Sequence, residues 1–249
     1  MKSVMITGCS SGFGYAIACA FLARGWRVIA TMRSPRKDIF PVSENLLVLP
    51  LDVTDGDSIG RAVAKAGQID VLVNNAGIGW LNALEGTSDD VIRKVFETNT
   101  FGTMAMTRAV LPQFRAQGSG VVVNVSSTTA LVPMDLLSVY GASKAAINHF
   151  TETLALELAP FGIRVRLVVP GRAPETPFGT TAKSLIQEAG GFPEAYQDHV
   201  AKVFTKLEQS SDGLVTRVED VVDAVWQAAT DANSPNRVLA GADTKALVG

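Results

Sequence analysis

The chain has 249 residues, 47% of them hydrophobic and 18% charged, with a net charge of −2. That much apolar material excludes a disordered chain, and the near-balanced charge leaves no basic patch suited to nucleic acid. The length fits one α/β domain and no Pro/Gly/Ser-rich linker divides it, so residues 1–249 are expected to form a single domain.

Short β-branched runs alternate with longer amphipathic stretches, the pattern of βαβ units that build a parallel sheet. After Lys2 the apolar run from Val4 to Thr7 is too short for a signal peptide. No run is long enough to span a membrane, and the expected location is cytoplasmic. The first strand is predicted over Ser3–Thr7 and the first helix over Gly12–Arg24, closed by Gly25. Cys9 and Cys19 fall in the turn and helix here and read as free thiols of a reducing compartment. Further strands are predicted over Arg27–Thr31, Leu46–Leu51, Ile69–Asn74, Gly120–Val125, Arg164–Val169 and Arg237–Ala240. VVVNV is apolar at nearly every position, as a strand covered on both faces allows. Helices are predicted over Asp57–Ala66, closed by Gly67, then Ser88–Ala116, Tyr140–Ala159 and Val218–Thr230. The segment at about 173–215 breaks this rhythm with prolines, aromatics and little helical periodicity, as expected of a substrate-binding lid.

The first strand runs into TGCSSGFG, Thr7–Gly14, and a helix follows at once. A glycine turn of this kind lets backbone approach a pyrophosphate, and the helix N-terminus adds free N–H groups and a positive dipole end. A plain tight turn is the alternative. An acid about twenty residues beyond such glycines would hold an adenosine ribose, whereas an arginine accommodates a 2′-phosphate. Here Met32 fills the acidic position with Arg33 beside it, and Arg36 and Lys37 precede the first acid, Asp38. A guanidinium binds phosphate through two hydrogen bonds, so NADP(H) is expected over NAD(H). A solvated basic loop is the competing reading.

TGCSSGFG, NNAG at Asn74–Gly77, Asn99 in ETNTFG, VNVSS at Val123–Ser127, YGASK at Tyr140–Lys144 and PG at Pro170–Gly171 stand in the order and spacing of the short-chain dehydrogenase/reductases. The chain resembles the short, single-domain branch of that family over about residues 1–172, plus a final helix and strand. The resemblance implies a Rossmann-type doubly wound α/β sandwich, with a central seven-stranded, mostly parallel sheet and helices on both faces.

It also implies a catalytic set of Asn99, Ser127, Tyr140 and Lys144. Tyr140 would exchange the proton of the reacting oxygen, and Ser127 would orient that oxygen, with Ser126 the competing choice. Lys144 would bond the nicotinamide ribose, and Asn99 would hold a water that relays protons towards the lysine. Lys144 stands one turn after Tyr140 on the same helix face. A charge about 4 Å away at an effective dielectric of ~20 is worth roughly 4 kcal/mol, enough to draw a phenol of ordinary pKa near ~10 towards neutrality. Gly141 and Ala142 would leave room for nicotinamide and substrate. By the same resemblance Gly8, Ser10, Ser11, Gly12, Phe13 and Gly14 would contact the phosphates, and Asp52 and Val53 the adenine. Asn75, Ala76 and Gly77 would lie along the ribose, and Pro170 and Gly171 near the nicotinamide. Asn99 as a backbone-bonding structural amide, and Asp52 as the start of a helix cap, are the alternatives.

Two stretches depart from the family pattern. PGRAPETPF puts Arg172 directly after the glycine and Thr176 one position late, and VLAGADTKALVG replaces a glycine-rich C-terminal ending. The second departure weakens the case for a tetramer built through that end, though a homo-oligomer, dimer or tetramer, is expected. Phe178, Leu185, Ile186, Phe192, Tyr196 and Phe204, with Trp80, suggest an apolar pocket for a lipophilic ketone or alcohol, or else simply fasten the lid. His149 and His199 show no metal spacing, and no metal site is expected. The implied activity is NADP(H)-dependent interconversion of a ketone or aldehyde and its alcohol. The rivals are a dinucleotide-sensing regulatory or scaffold protein without turnover, an NAD-dependent alcohol dehydrogenase, and a sugar-nucleotide epimerase, which would need a longer C-terminal part.

Overall fold

The computed structural model describes residues 1–209 and 214–248. Seven parallel strands form one sheet: β1 (Ser3–Ile6), β2 (Arg27–Met32), β3 (Leu46–Pro50), β4 (Val71–Asn74), β5 (Gly120–Val125), β6 (Ile163–Pro170) and β7 (Arg237–Ala240). All are where the sequence places them to within two residues at either end, and every pairing is parallel. The order β3-β2-β1-β4-β5-β6-β7 reverses direction between β1 and β4. In such sheets ligands collect outside the carboxyl ends of the strands at this reversal.

Alternate side chains of each strand serve opposite layers. Val4 and Ile6 pack with α1 (Gly12–Ala23) and α8 (Val218–Thr230), through Ile17, Phe21, Val221 and Val225. Met5, Ile29 and Leu72 face α2 (Gly56–Ala66), α4 (Gly102–Gln117) and α5 (Ser138–Leu158), through Ile59, Met106, Phe114 and Leu154. Both faces are therefore buried, and the strands need no polar alternation. Helix ends follow local chemistry. Asp55, not Asp52, caps α2 by accepting the Asp57 N–H at 2.9 Å, and Gly118 ends α4 in the left-handed conformation.

The single helix expected over Ser88–Ala116 is instead two. α3 (Asp89–Phe96) and α4 are joined by a π-helical turn, Glu97–Phe101, with Asn99 at its centre. A π turn holds an extra residue within an otherwise continuous helix, which hydrophobic periodicity does not announce. The segment at 173–215 is also more regular than its sequence suggests. It contains α6 (Phe178–Glu188) and α7 (Gln197–Gln209), joined through Gly190 and Gly191, both with positive φ. Residues 210–213 of that segment lie outside the described residues. A short helix, α9 (Ala242–Val248), follows β7 and was not expected. Among the described residues, no helix is long and apolar enough to cross a membrane, and no group of His, Cys, Asp and Glu could hold a metal ion.

Candidate active site

The glycine turn leaves the carboxyl end of β1 and enters α1. Gly14 allows the helix to sit on the turn, since a Cβ there would lie 2.3 Å from the Gly8 carbonyl oxygen. Ser11 is the N-cap residue but makes no side-chain cap bond, and Tyr15 N–H to Ser11 is the first bond of the helical ladder. Helix geometry leaves the N–H groups before it outside that ladder, as an anion cradle requires. Ser10 and Ser11 are exposed, and Phe13 is half-buried beside the core.

The NNAG loop at the end of β4 is fastened to this turn. Thr7 Oγ1 accepts the N–H of Asn75 at 3.0 Å and of Ala76 at 2.9 Å. Asn75 Nδ2 returns hydrogen bonds to the Thr7 and Gly8 carbonyls. The Asn75 side chain is thus occupied in holding two loops together, while the backbone of Ala76 and Gly77 is half-buried along the cleft. At the end of β2, Arg33 is exposed. The Thr54 backbone N–H, then the Thr54 hydroxyl, hold the carboxyl of Asp52 below its usual range, with the Arg33 charge adding to them. Arg33 and Asp52 therefore border the same edge, where Val53 packs against the start of α4 at Gly102.

Ser127, Tyr140, Lys144 and Asn99 converge from β5, α5 and the π turn. Tyr140 is 8% exposed. Burial pushes the phenol up to about 12, and the neighbouring Ser127 side chain offsets part of that rise. Lys144 Nζ donates to the Val125 carbonyl at 3.0 Å, and burial pulls its pKa down to about 8. The expected lowering of the phenol by the lysine charge is not found: desolvation moves both groups towards their neutral forms and outweighs it. Ser127 also accepts from the Thr129 hydroxyl at 3.0 Å. Ser126, the competing choice, donates to Asn148 Oδ1 within the core.

Asn99 is 1% exposed. Its Oδ1 accepts the Ile78 N–H at 2.8 Å, and its Nδ2 donates to the Ile78 carbonyl and to Ser143 Oγ at 3.1 Å. Ser143 donates to the Tyr140 carbonyl at 2.7 Å. The amide thus ties the loop after NNAG to the helix carrying Tyr140 and Lys144, and Ser143 is a site neighbour that motif reading passed over. Gly141 does not open space for a ligand. A Cβ there would lie 3.0 Å from the Thr129 carbonyl, so the glycine lets α5 approach the turn after Ser127.

Of the lid aromatics, Trp80 and Ile186 are buried with Val139 and Tyr140, and Leu185 and Phe192 pack on them. These mainly fasten the lid, as does the Phe192–Phe204 edge contact. Tyr196 is half-buried, and the neighbouring Glu85 carboxyl raises its pKa. Phe178 differs: it is 42% exposed, its ring centroid is 5.9 Å from that of Tyr140, and it presses on Gly79. Thr176 reaches the glycine turn despite its displaced position in sequence; its Cβ would be 3.5 Å from a Cβ on Gly12. Pro170 is buried, and Gly171 and Arg172 are held by Thr216 and Asp243, two residues that no motif marks.

A doubly wound parallel sheet whose first crossover opens on a glycine turn is a dinucleotide-binding architecture. A family model described as short chain dehydrogenase matches residues 2–184. The chain belongs to the short-chain dehydrogenase/reductase family and is an NAD(P)-dependent oxidoreductase of the type acting on CH–OH groups. It is 36% identical over 210 residues to the 3-ketodihydrosphingosine reductase of Bacteroides thetaiotaomicron, covering 83% of this chain and 76% of that one. The crystal structure of a short-chain dehydrogenase from Streptomyces avermitilis superposes with a TM-score of 0.82 at 35% identity, over 99% of this chain and 90% of that one. The closed form of serine dehydrogenase complexed with NADP+ gives a TM-score of 0.80 at 28% identity, over 97% and 95%.

Proposed function

We propose that the chain interconverts a ketone or aldehyde with its alcohol using NADP(H), on a lipophilic substrate. The observation that carries this reading is the buried Tyr140 phenol, with Ser127 beside it and a buried Lys144 on the same helix. The residues present fit the dinucleotide: a glycine turn before uncapped helix N–H groups, an exposed Arg33 where a 2′-phosphate would stand, and a buried ammonium with one protein acceptor, Val125. The NADP+ in the serine dehydrogenase relative and the sphingoid ketone named for the Bacteroides relative support the cofactor and substrate class.

When bound, the nicotinamide supplies or accepts the hydride. Tyr140 gives its proton to the carbonyl oxygen in reduction and takes it back in oxidation, the transfer that a positioned phenol can catalyse. A phenol held near 12 is protonated at neutral pH, which suits it to the donor's role. Ser127 Oγ holds the same oxygen and stabilises the charge that develops on it. Lys144 binds the ribose hydroxyls with its ammonium, and Asn99, Gly8, Ser10, Ser11, Gly12, Phe13, Gly14, Arg33, Asp52, Val53, Asn75, Ala76, Gly77, Pro170 and Gly171 line the cofactor's path or brace it.

An NADPH-oxidation screen against long-chain 3-keto compounds, retinoids, steroids, sugars and small aldehydes tests the reading. Turnover of the apolar ketones that disappears in Tyr140→Phe supports it. Tight NADP binding with no turnover of any carbonyl would instead favour a nucleotide sensor. We read residues 1–249 as one domain because a single sheet collects the seven strands of the described residues. A cytoplasmic location rests on the free thiols Cys9 and Cys19. A homo-oligomer rests on the exposed Phe101 and Leu156 of the α4 and α5 region, and light scattering of wild type and Phe101→Asp tests it.

A further inference from the structure

The two stretches that depart from the family pattern, PGRAPETPF and VLAGADTKALVG, meet in space. Asp243, in α9, accepts the backbone N–H of Arg172 through Oδ2 at 2.7 Å and the hydroxyl of Thr216 through Oδ1 at 2.7 Å. Thr216 Oγ1 accepts the N–H of Gly171 at 2.8 Å, and the Thr216 N–H donates to the Arg172 carbonyl at 2.9 Å. Thr216 is fully buried and Asp243 is 9% exposed. Two glycines make way for this clamp: a Cβ on Gly171 would lie 2.1 Å from Asp243 Oδ2, and one on Gly241 would lie 2.2 Å from Thr216 Oγ1. The space is thus fully committed to holding two peptide groups in place.

Those peptide groups begin a segment that borders the whole cleft. At one end β6 pairs with β5 beside Ser127, where the Ser126 N–H bonds the Val168 carbonyl at 2.8 Å. At the other end Thr176 rests against Gly12 of the glycine turn. Residues 171–176 thus run between the glycine turn and the Ser127 end of the site, the span that the cofactor reading assigns to the dinucleotide. α9 also packs on the turn Thr128–Ala130, immediately after Ser127.

We propose that Thr216 and Asp243 are positioning residues for the nicotinamide half of the cofactor, coupling the C-terminal segment 237–248 to the reacting end of the site. This rests on the cofactor reading above and adds that the clamp acts on one half of the dinucleotide only. Its peptide groups stand beside the reacting end, whereas the adenosine half is bordered by Arg33 and Asp52. By thermodynamic reciprocity, a ligand that uses the clamped backbone also tightens the segment that clamps it.

Fluorescence titration with NADPH and calorimetry with 2′,5′-ADP, which lacks the nicotinamide, separate the halves. Thr216→Val is expected to bind NADPH about tenfold more weakly, because the Gly171 N–H loses its acceptor and Asp243 its hydroxyl partner, while 2′,5′-ADP binding stays within about twofold. Thr216→Ser, which keeps the hydroxyl, is expected to restore NADPH binding. In the wild type, hydrogen exchange of segments 171–176 and 237–248 should slow with NADPH and not with 2′,5′-ADP, a measurement independent of any variant's folding. Equal weakening of both ligands, or exchange that slows equally with both, overturns the proposal. So does unchanged NADPH binding in Thr216→Val. Failure of the wild type to bind either nucleotide overturns the cofactor reading itself, and this proposal with it.

Discussion

Lys144 Nζ lies 3.0 Å from the carbonyl oxygen of Val125, so the ammonium of α5 is docked on the last residue of β5, two positions before Ser127. Its ordinary pKa of 10.5 falls to about 8 because burial disfavours the charge. Between these values the unfolded chain carries a proton on this lysine that the folded chain has released, so stability rises with pH across that window. A separation of about 2.5, at about 1.36 kcal/mol for each pKa unit, is worth up to about 3 kcal/mol. Urea unfolding without cofactor at pH 7 to 10 is expected to show that rise in wild type, and Lys144→Met is expected to flatten it. The raised pKa of Tyr140 works in the other direction only above pH 10, where the unfolded phenol ionises first.

Tyr140→Phe removes the proton donor and is expected to lower kcat for carbonyl reduction by roughly 10²–10⁴-fold while NADPH still binds. Ser127→Ala is expected to lower kcat by about 10²-fold or more through loss of a hydrogen bond to the charged oxygen. Ser126→Ala serves as the contrast. It strips a buried partner from Asn148 and should cost about 1–3 kcal/mol of stability, seen in urea unfolding, with a much smaller effect on kcat.

Arg33→Ala is expected to reduce the preference for NADP+ over NAD+ by about tenfold, the low end for a charge-assisted hydrogen bond because this guanidinium is exposed. The comparison to make is the ratio of Kd values for the two nucleotides. An unchanged ratio would remove the phosphate argument, leaving the rest of the site intact.

Phe178 stands over Tyr140 and against Gly79, where a Cβ would lie 2.7 Å from the ring. Phe178→Ala should widen the space beside the phenol and raise kcat/KM for ketones with bulky substituents relative to methyl ketones, by several-fold to tenfold. Gly79→Ala pushes on the same ring, so its effect should shrink when Phe178 is already alanine. A double-mutant cycle on kcat/KM measures that coupling.

The sheet was legible because continuous apolar runs such as VVVNV, punctuated by glycine, have few other ways to fold. The catalytic motifs were legible because short fixed spacings on one helix or at one strand end survive in one dimension. Asn99 was a misfit in a helix, but nothing in its neighbours announced the extra residue of a π turn. The lid helices α6 and α7 were obscured because they are short, flanked by proline and glycine, and apolar only where they meet Trp80 and Val139. Asp243 and Arg172 are separated by 71 positions, and no local pattern could pair them. The pKa of Tyr140 depended on burial, a property of the assembled site that its distance in sequence from Lys144 does not contain.

Cys9 lies inside the glycine turn with no exposed surface, its Sγ donating to the Ile6 carbonyl and its thiol pushed up to about 12 by burial. Such a thiol is inert to alkylating reagents until the turn lifts off the sheet, because only the thiolate attacks. Cys19, partly exposed on the following helix, supplies an internal reference for reagent strength. The rate of Cys9 alkylation relative to Cys19 therefore counts how often the phosphate-facing turn opens, a built-in stopwatch that a bound nucleotide should slow.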